Sequence, residues 1–517
     1  MTETVTAAEL PSAKVDLTLN EAELVEVLVE AAKELKTTVR ICGGWVRDKA
    51  LGRLTKDIDV ALDNCSGAAF AEKVSQVLSK LDRHEKKRSS SSLSSSSSSK
   101  VGVIAANPDQ SKHLETATMR LCGVEVDFVN LRSEAYADDS SRVPTSVEFG
   151  TPMEDAMRRD FTVNALMFNV HDRTIEDHTN KGWDDLRAGL LRTPLEPKVT
   201  LLDDPLRALR GVRFAARYGF RLDDDFRVAC RDPQVKAALL TKVSRERVGK
   251  ETRGAFASSA RGCVRAIDEL RKLKLAASAL RAVDAVAYEG DALALVVHVP
   301  AEAAAPAAAN EDDESSEKKT TTTNTKKTLF FGTIPCADVF DADLDDCGAW
   351  RYAARCVAAH ALVAFPGAAI DDAEAFKKKA PEVPCERAVV GLAASLLPFA
   401  ACTARGASKK KDASVPVAVM RDGLKLPNAD VVAVQRLLEA VPVVRSLAAR
   451  VAEGRDDATT LRRDVGAFLF QVRALWRDAA DLARAADLAA TDHWNDDDDD
   501  GNNNNNNNCG IHRPTPS

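Results

Sequence analysis

The segment from Ile41 to Val60 constrains this chain more than any other. A glycine pair, Gly43-Gly44, interrupts a β-prone run. Arg47 follows within one turn, and Asp57-Ile-Asp-Val then places two acids at i, i+2. On a strand the side chains alternate faces, so Asp57 and Asp59 share one face while Ile58 and Val60 point to a core. The segment therefore reads as strand, glycine turn, short helix and strand. Glycine lets a backbone close on a phosphate. An arginine fork adds charged hydrogen bonds to phosphate oxygens, and paired carboxylates suit a divalent cation. Phosphate, metal and carboxylates together point to nucleotidyl transfer.

A second acidic strand is expected over Gly123–Leu131, Gly-Val-Glu-Val-Asp-Phe-Val-Asn-Leu. Val124, Val126 and Phe128 share one face, and Glu125 and Asp127 take the other. If the two strands are neighbours, Asp127 approaches Asp57 and Asp59 as a third carboxylate. Such a cluster repels itself unless a cation sits within it, and hard oxygen donors favour Mg²⁺. Two such ions would activate a 3′-hydroxyl and neutralise the leaving pyrophosphate. The competing reading is a solvated strand face, which Asp-x-Asp alone does not exclude. The preceding Gly-Gly-x-x-Arg-Asp argues against it.

Two further clusters follow. Glu154-Asp-Ala-Met-Arg-Arg-Asp-Phe-Thr-Val-Asn-Ala-Leu166 places Arg158 and Arg159 beside Asp160, with Asn164 at i+4 from Asp160. Arginine forks there suit triphosphate and ribose contacts, with Asp160 and Asn164 placed to orient them. Leu202 to Arg217 begins Asp203-Asp204-Pro205, a helix start with one aspartate as cap and proline in the first turn. Arg207, Arg210, Arg213 and Arg217 recur at i+3 and i+4 as a basic stripe, while Leu206, Leu209, Val212 and Phe214 supply the buried side. Asp204 and Arg207 are helical neighbours. An aspartate accepts from an exocyclic amine and an arginine donates to a ring acceptor. The pair therefore fits cytosine and adenine and rejects uracil and guanine, which present the reverse pattern. Taken alone, this cluster reads better as an N-cap and a solvated stripe.

The formal net charge of −7 argues only weakly against a polyanionic partner. Pro205 to Lys274 holds 18 Lys and Arg against 8 Asp and Glu, a local net of +10, compatible with nucleic acid. The 11 cysteines form no C-x-x-C pair, which disfavours zinc-ribbon and redox motifs and fits reduced thiols in a cytosol-like compartment. No run of about 18 apolar residues occurs, so no membrane span is expected. The N-terminus lacks a signal-peptide core, and alternative starts leave nuclear, mitochondrial or plastid copies open.

Helices are expected over Asn20–Leu35, with Asn20 as N-cap, over Arg47–Leu51 and over Gly67–Leu81, and strands over Thr38–Ile41, Ile58–Leu62 and Thr174–Glu176. From Asp204 almost to Ala490 the pattern reads as helical. Three low-complexity stretches are expected to be disordered: the serine tract 86–100, the charged threonine-rich 310–327, and the Asp/Asn-rich run from Asp496 to Asn508.

Together these clusters resemble the class II tRNA nucleotidyltransferases, the CCA-adding enzymes, of the superfamily that includes bacterial poly(A) polymerases. Their first motif is matched by Gly43 to Asp59 and the arginine motif by Arg158 to Leu166. A connector is similar to Glu176–Leu186, the base-reading motif to Asp203–Arg207, and the last motif to Ser244–Glu251. Ser111–Thr118, Val124–Ser133 and, more weakly, Met420–Pro427 resemble the fungal and plant branch. The resemblance implies an α+β chain: a nucleotidyltransferase palm with a mixed β-sheet and helices, then an all-α neck, body and tail. The implied divisions are an N-terminal helix region 1–36, a head 37–192, a neck 193–270, a body and tail 271–495, and a terminal tail 496–517. It further implies stepwise addition of C, C and A to a tRNA 3′ end from CTP and ATP, without a nucleic-acid template and with Mg²⁺. By position, Asp57 and Asp59 bind metal; Gly43, Gly44, Arg47 and Arg159 contact the nucleotide; Asp204 and Arg207 read the base; and Arg210 and Arg213 face phosphate. Asp127 rests on the strand geometry instead. Asp203 stands where the family usually has glutamate, and from Arg271 to Ala400 the resemblance almost vanishes. The alternatives are a poly(A) polymerase on the same scaffold or a non-catalytic tRNA-binding protein. Oligomeric state is not legible.

Overall fold

In the computed structural model the described residues are 15–53, 55, 57–88, 101–104, 116–135, 146–281, 285–297, 329–335, 339–340, 348–364, 387–406, 413–454 and 456–490. Most of the serine tract, the stretch 310–327 and the tail 496–517 lie outside them. Residues 86–88 end a helix that runs past its expected limit at Leu81. The chain divides into two compact units: one reaches Asp203 and adds Phe220–Phe226, and the other holds Asp204–Gly219 and everything from Arg227 onward. The head expected over 37–192 ends short of that division.

The first unit begins with α1 (Leu19–Leu35). Its cap is Thr18, not Asn20: Thr18 Oγ1 accepts the Glu21 amide while Glu21 Oε2 accepts the Thr18 amide at 2.7 Å. Two orphan donors satisfied reciprocally outweigh a single asparagine cap. There follow β1 (Val39–Cys42), α2 (Gly44–Ala50), β2 (Asp57–Leu62), α3 (Gly67–Arg88), β3 (Val101–Ile104), β4 (Thr116–Leu121) and β5 (Val124–Asn130). The hairpin β6 (Arg132–Ala135) and β7 (Ser146–Phe149) precedes α4 (Pro152–Met157), β8 (Met167–Asn169), β9 (Thr174–Glu176), α5 (Gly182–Ala188), β10 (Leu190–Leu191), α6 (Pro197–Asp203) and, after a segment of the second unit, β11 (Arg221–Leu222).

Seven strands form one sheet in the order β3-β4-β5-β2-β1-β8-β9. The junction of β2 with β5 is parallel and the others are antiparallel. Alternation works as the sequence suggested: Ile58, Val60, Val126 and Phe128 are buried, and Asp57, Asp59 and Glu125 are exposed. Phe70 of α3 packs on Phe128 with ring centroids 5.4 Å apart. The sheet's apolar face is thereby closed and the acids are left on the other.

The second unit is mostly helical: α7 (Leu206–Tyr218), the rest of α8 (Asp224–Arg231), α9 (Pro233–Lys242), α10 (Arg245–Phe256), α11 (Ala260–Lys272), and helices over Gly348–Ala364, Arg387–Leu396, Asn428–Glu453, Ala458–Val472 and Trp476–Ala489. It is not purely helical. Ala285–Glu289 pairs with Thr403–Gly406, which pairs with Ala413–Ser414, and Asp291–Val297 pairs with Leu329–Pro335. The helical expectation missed these strands because alanine carries a helical signal by propensity alone, and pairing partners lie up to 121 residues away, from Ala285 to Gly406. Phe340, Trp350 and Phe399 make an aromatic core there, with ring centroids 5.0 to 5.9 Å apart. No helix among the described residues is long and apolar enough to cross a membrane.

Candidate active site

Asp59 and Asp127 are direct cross-strand partners in the parallel β2/β5 pair, and Asp57 lies opposite Glu125. The register places Asp127, not Glu125, beside Asp59. Thr118 of β4, opposite Asp127, donates from Oγ1 to Asp127 Oδ1 at 2.5 Å and holds that carboxylate from its outer side. Although its side chain reaches solvent, the protein packed around Asp59 strips enough water to push its carboxyl above the ordinary range; the Arg159 charge works against this, while Asp127 and Asp57 add to it. Like charges crowded together disfavour ionisation unless a cation relieves them.

Gly43 ends β1 with φ +74°, ψ −131°, a conformation that L side chains rarely adopt. A Cβ there would come within 3.2 Å of Arg159 Nη1 and 3.6 Å of Asp59 Oδ2. The turn, the arginine and the aspartate are thus immediate neighbours. Gly44 opens α2, and its own Cβ position is 3.4 Å from Arg47 Nη2.

Arg159 is held by two anchors. Nε and Nη2 donate to Asp155 Oδ2 at 3.0 and 2.7 Å, and Nη1 donates to the Asn164 carbonyl at 3.3 Å. Asp155 is 2% exposed and also accepts from Arg158. Burial would raise its carboxyl, but the two arginines outweigh burial and hold it below the usual range. No role for Asp155 was expected from the sequence. Its spacing of three and four residues before the two arginines was the available signal.

Arg47 departs from expectation. It is 5% exposed. Nε and Nη2 donate to Asp48 Oδ1 at 2.9 and 2.8 Å, and Nη1 donates to Asn164 Oδ1. Asn164 in turn donates to Asp160 Oδ1 at 2.9 Å. A guanidinium turned inward this way braces α2 against the segment carrying Arg159. Arg47, expected to contact the nucleotide, here gives its guanidinium to Asp48 and Asn164. Asn164, itself held by Asp160, takes Arg47 on its side chain and Arg159 on its carbonyl, while Asp155 takes both Arg158 and Arg159. The connector is a clip: Asp177 accepts from Thr179 and from the Trp183 amide, and Thr162 donates to Asp185 at 2.6 Å.

Among the described residues no three His, Cys, Asp or Glu side chains close a metal cage by themselves. Mg²⁺ is commonly held by one or two carboxylates, with waters and substrate phosphates completing the shell. The open set of Asp57, Asp59 and Asp127, whose mutual repulsion Arg159 only partly offsets, fits that mode.

The base-reading candidates belong to the second unit. The helical run is interrupted between α6 and α7, where Asp204 Oδ1 accepts the Leu206 amide at 3.2 Å and the Asp204 carbonyl accepts the Arg207 amide at 3.0 Å. Asp203 is exposed at the end of α6. Leu206, Leu209, Val212 and Phe214 are buried, and Arg217 is exposed. Arg210 and Arg213 are engaged within the unit: Glu251 of α10 takes Arg213 Nε at 2.5 Å and Arg210 Nη1 at 3.5 Å. Arg213 also lies over the Phe214 ring at 4.3 Å. Arg247 of α10 pairs with Asp204 Oδ2 at 3.0 Å. The sequence reading missed the roles of Arg247 and Glu251, whose partners lie about 40 residues away in the chain.

Residues 39–192 match the model of the poly A polymerase head domain. The matched stretch holds the Gly43 turn, the acids and the Asp155–Arg159 anchor. The chain is 50% identical over 214 residues to the mitochondrial CCA tRNA nucleotidyltransferase of Saccharomyces cerevisiae, covering 41% of this chain and 37% of that protein. It is 44% identical over 237 residues to the tRNA nucleotidyltransferase cca2 of Schizosaccharomyces pombe, covering 46% of each. The match therefore spans less than half the length of these relatives. Among solved structures, a tRNA-processing enzyme in an apo form superposes with a TM-score of 0.53 at 17% identity, covering 92% of both chains. The fold beyond the head domain is thus shared as well.

Proposed function

We propose that this chain is a CCA-adding tRNA nucleotidyltransferase, extending a tRNA 3′ end from CTP and ATP with release of pyrophosphate. The observation that carries the reading is Asp59 facing Asp127 beside the Gly43 turn and Arg159. The likeness to proteins named tRNA nucleotidyltransferases supports it.

The 3′-hydroxyl oxygen of the primer attacks the α-phosphorus of the incoming nucleotide. The bond to the bridging oxygen breaks, pyrophosphate leaves with that electron pair, and the hydroxyl proton passes to solvent. Asp57 and Asp59, with Asp127, would hold Mg²⁺, which when bound neutralises charge on the attacking and leaving oxygens. Thr118 keeps Asp127 aimed at Asp59. Gly43 and Gly44 admit phosphate oxygens close to the backbone. Arg159, fixed by Asp155, supplies a preorganised cationic fork. Arg47 keeps the turn in place. Asp204 accepts from the exocyclic amine of C or A, and Arg207 donates to the adjacent ring acceptor. A base with the opposite pattern leaves polar groups unpaired. The basic stretch from Pro205 to Lys274 suits the tRNA polyanion.

The test is extension of a tRNA lacking its terminal CCA, with CTP, ATP and Mg²⁺, followed by sequencing of the products. Addition that stops after C, C and A supports the proposal. A long A tail replaces it with a poly(A) polymerase, and no extension removes both. For location we propose a cytoplasmic enzyme with organellar copies from alternative starts, as the mitochondrial relative suggests. Cell fractionation with start-site mapping tests this.

A further inference from the structure

Two residues one turn apart on α10, Arg247 and Glu251, each grip a charged group of the base-reading segment. Glu251 holds Arg213 at 2.5 Å and Arg210 at 3.5 Å. Arg247 holds Asp204 Oδ2 at 3.0 Å. The charges alternate along both partners: the cation of α10 meets the anion at the start of α7, and the anion of α10 meets the cations further along it. A shift of one element by one turn would set like charges together, so the pairs fix the register of α7 on α10. A Cβ at Gly254 would come within 2.7 Å of Arg213 Cδ, so the absence of a side chain there is what lets Arg213 lie against α10.

The Asp204 contact differs in kind from the Glu251 contact. Glu251 is buried, whereas the Arg247 and Asp204 side chains are 50% and 32% exposed. An ion pair that exposed adds little to stability. Its effect is geometric. Oδ1 of Asp204 is taken by the Leu206 amide, which leaves the carboxylate free to turn about a single contact, and the Arg247 contact on Oδ2 removes that freedom. A carboxylate offers about four acceptor positions, of which these two contacts use two.

We propose that Arg247 is a positioning residue for base choice: it aims the Asp204 carboxylate so that its remaining acceptor positions meet the exocyclic amine of C or A. The proposal rests on the base-reading role given to Asp204 above. Arg247 touches no base and acts through Asp204 alone.

The test compares kcat/KM for CTP and ATP with that for UTP and GTP in full-length chains. The variants are Arg247→Met, which keeps the apolar stem, Arg247→Lys, Asp204→Asn, and the double variant Arg247→Met with Asp204→Asn. Thermal unfolding confirms that each is folded. The expected result is a loss of discrimination of about 5-fold in Arg247→Met and partial recovery in Arg247→Lys. In the Asp204→Asn background, Arg247→Met should cause no further loss. Discrimination unchanged in a folded Arg247→Met chain overturns the proposal. So does an additive loss in the double variant, since Arg247 would then act independently of Asp204. If Asp204→Asn itself discriminates like the unaltered chain, the base-reading role fails, and this proposal fails with it.

Discussion

Asp59 sits opposite Asp127 across the parallel β2/β5 junction, with Arg159 and the Gly43 turn beside it. The carboxylates repel each other in the absence of a cation. Replacing Asp59 by Asn removes both the repulsion and a metal ligand. The metal-free chain should gain roughly 0.5 kcal/mol, a small amount because solvent screens the pair. Nucleotide addition should fall at least about 10²-fold. Calorimetric melts with and without Mg²⁺ check this: the unaltered chain rises in Tm with Mg²⁺, and the variant rises less or not at all.

Asp155 anchors Arg158 and Arg159 from a buried position. Its carboxyl is held below the ordinary value, so the unfolded chain takes up a proton first as pH falls. The stabilisation is fully present above the unfolded pKa of about 3.9 and is lost as pH drops through the lower folded value. Asp155→Asn should cost about 1–2 kcal/mol at pH 7, because it removes the buried charge that the Arg158 and Arg159 guanidinium groups share, one of them well exposed. Denaturant melts at pH 7 and at pH 3 check the sign, since the gap between variant and unaltered chain should narrow at the lower pH.

Gly43 holds a positive φ and lies against Arg159. Gly43→Ala meets the left-handed backbone cost, about 1–2 kcal/mol, and pushes on the arginine. Activity should drop by more than the stability change explains. A folded variant with KM for CTP and ATP unaltered would count against close phosphate approach at this turn.

Asp204→Ala leaves the carboxylates of the first unit untouched. Metal-dependent addition should persist while preference for CTP and ATP over UTP is lost. Sequenced products from reactions with all four nucleotides give the answer, and a preserved preference would refute the reading mode.

Glu251→Gln weakens the hold on Arg210 and Arg213 inside the second unit. The expected loss is about 1–2 kcal/mol, with KM for both nucleotides changing in parallel, since neither arginine is assigned to a base. Steady-state kinetics and denaturant melts report the two effects separately.

The legible part of this protein lay where short spacings carry physical meaning. Asp57 and Asp59 share a face because strands have a period of two, and Leu206 and Leu209 share one because helices have a period of 3.6. Gly43 signalled a turn because few other residues accept its φ. The inward turn of Arg47 was not legible. The sequence pointed Arg47 at phosphate, and its contact with Asn164, 117 residues away, exists only in the tertiary structure. The strands of the second unit were missed for the same reason, since their pairing is long-range.

By itself the sequence determined the identity and spacing of the reactive groups: the glycine turn, the acids at i, i+2, the arginine pair with its local Asp155, and the Asp204/Arg207 start of α7. Those features depend on backbone periodicity and on chemistry that neighbouring residues already contain. Tertiary structure alone decided the Asp59–Asp127 register, the anchoring of Arg47 on Asn164 and the pairing of Asp204 with Arg247. Each of these joins groups far apart in the chain. Their energy appears only once a core has brought the elements together, so no local pattern could have announced them.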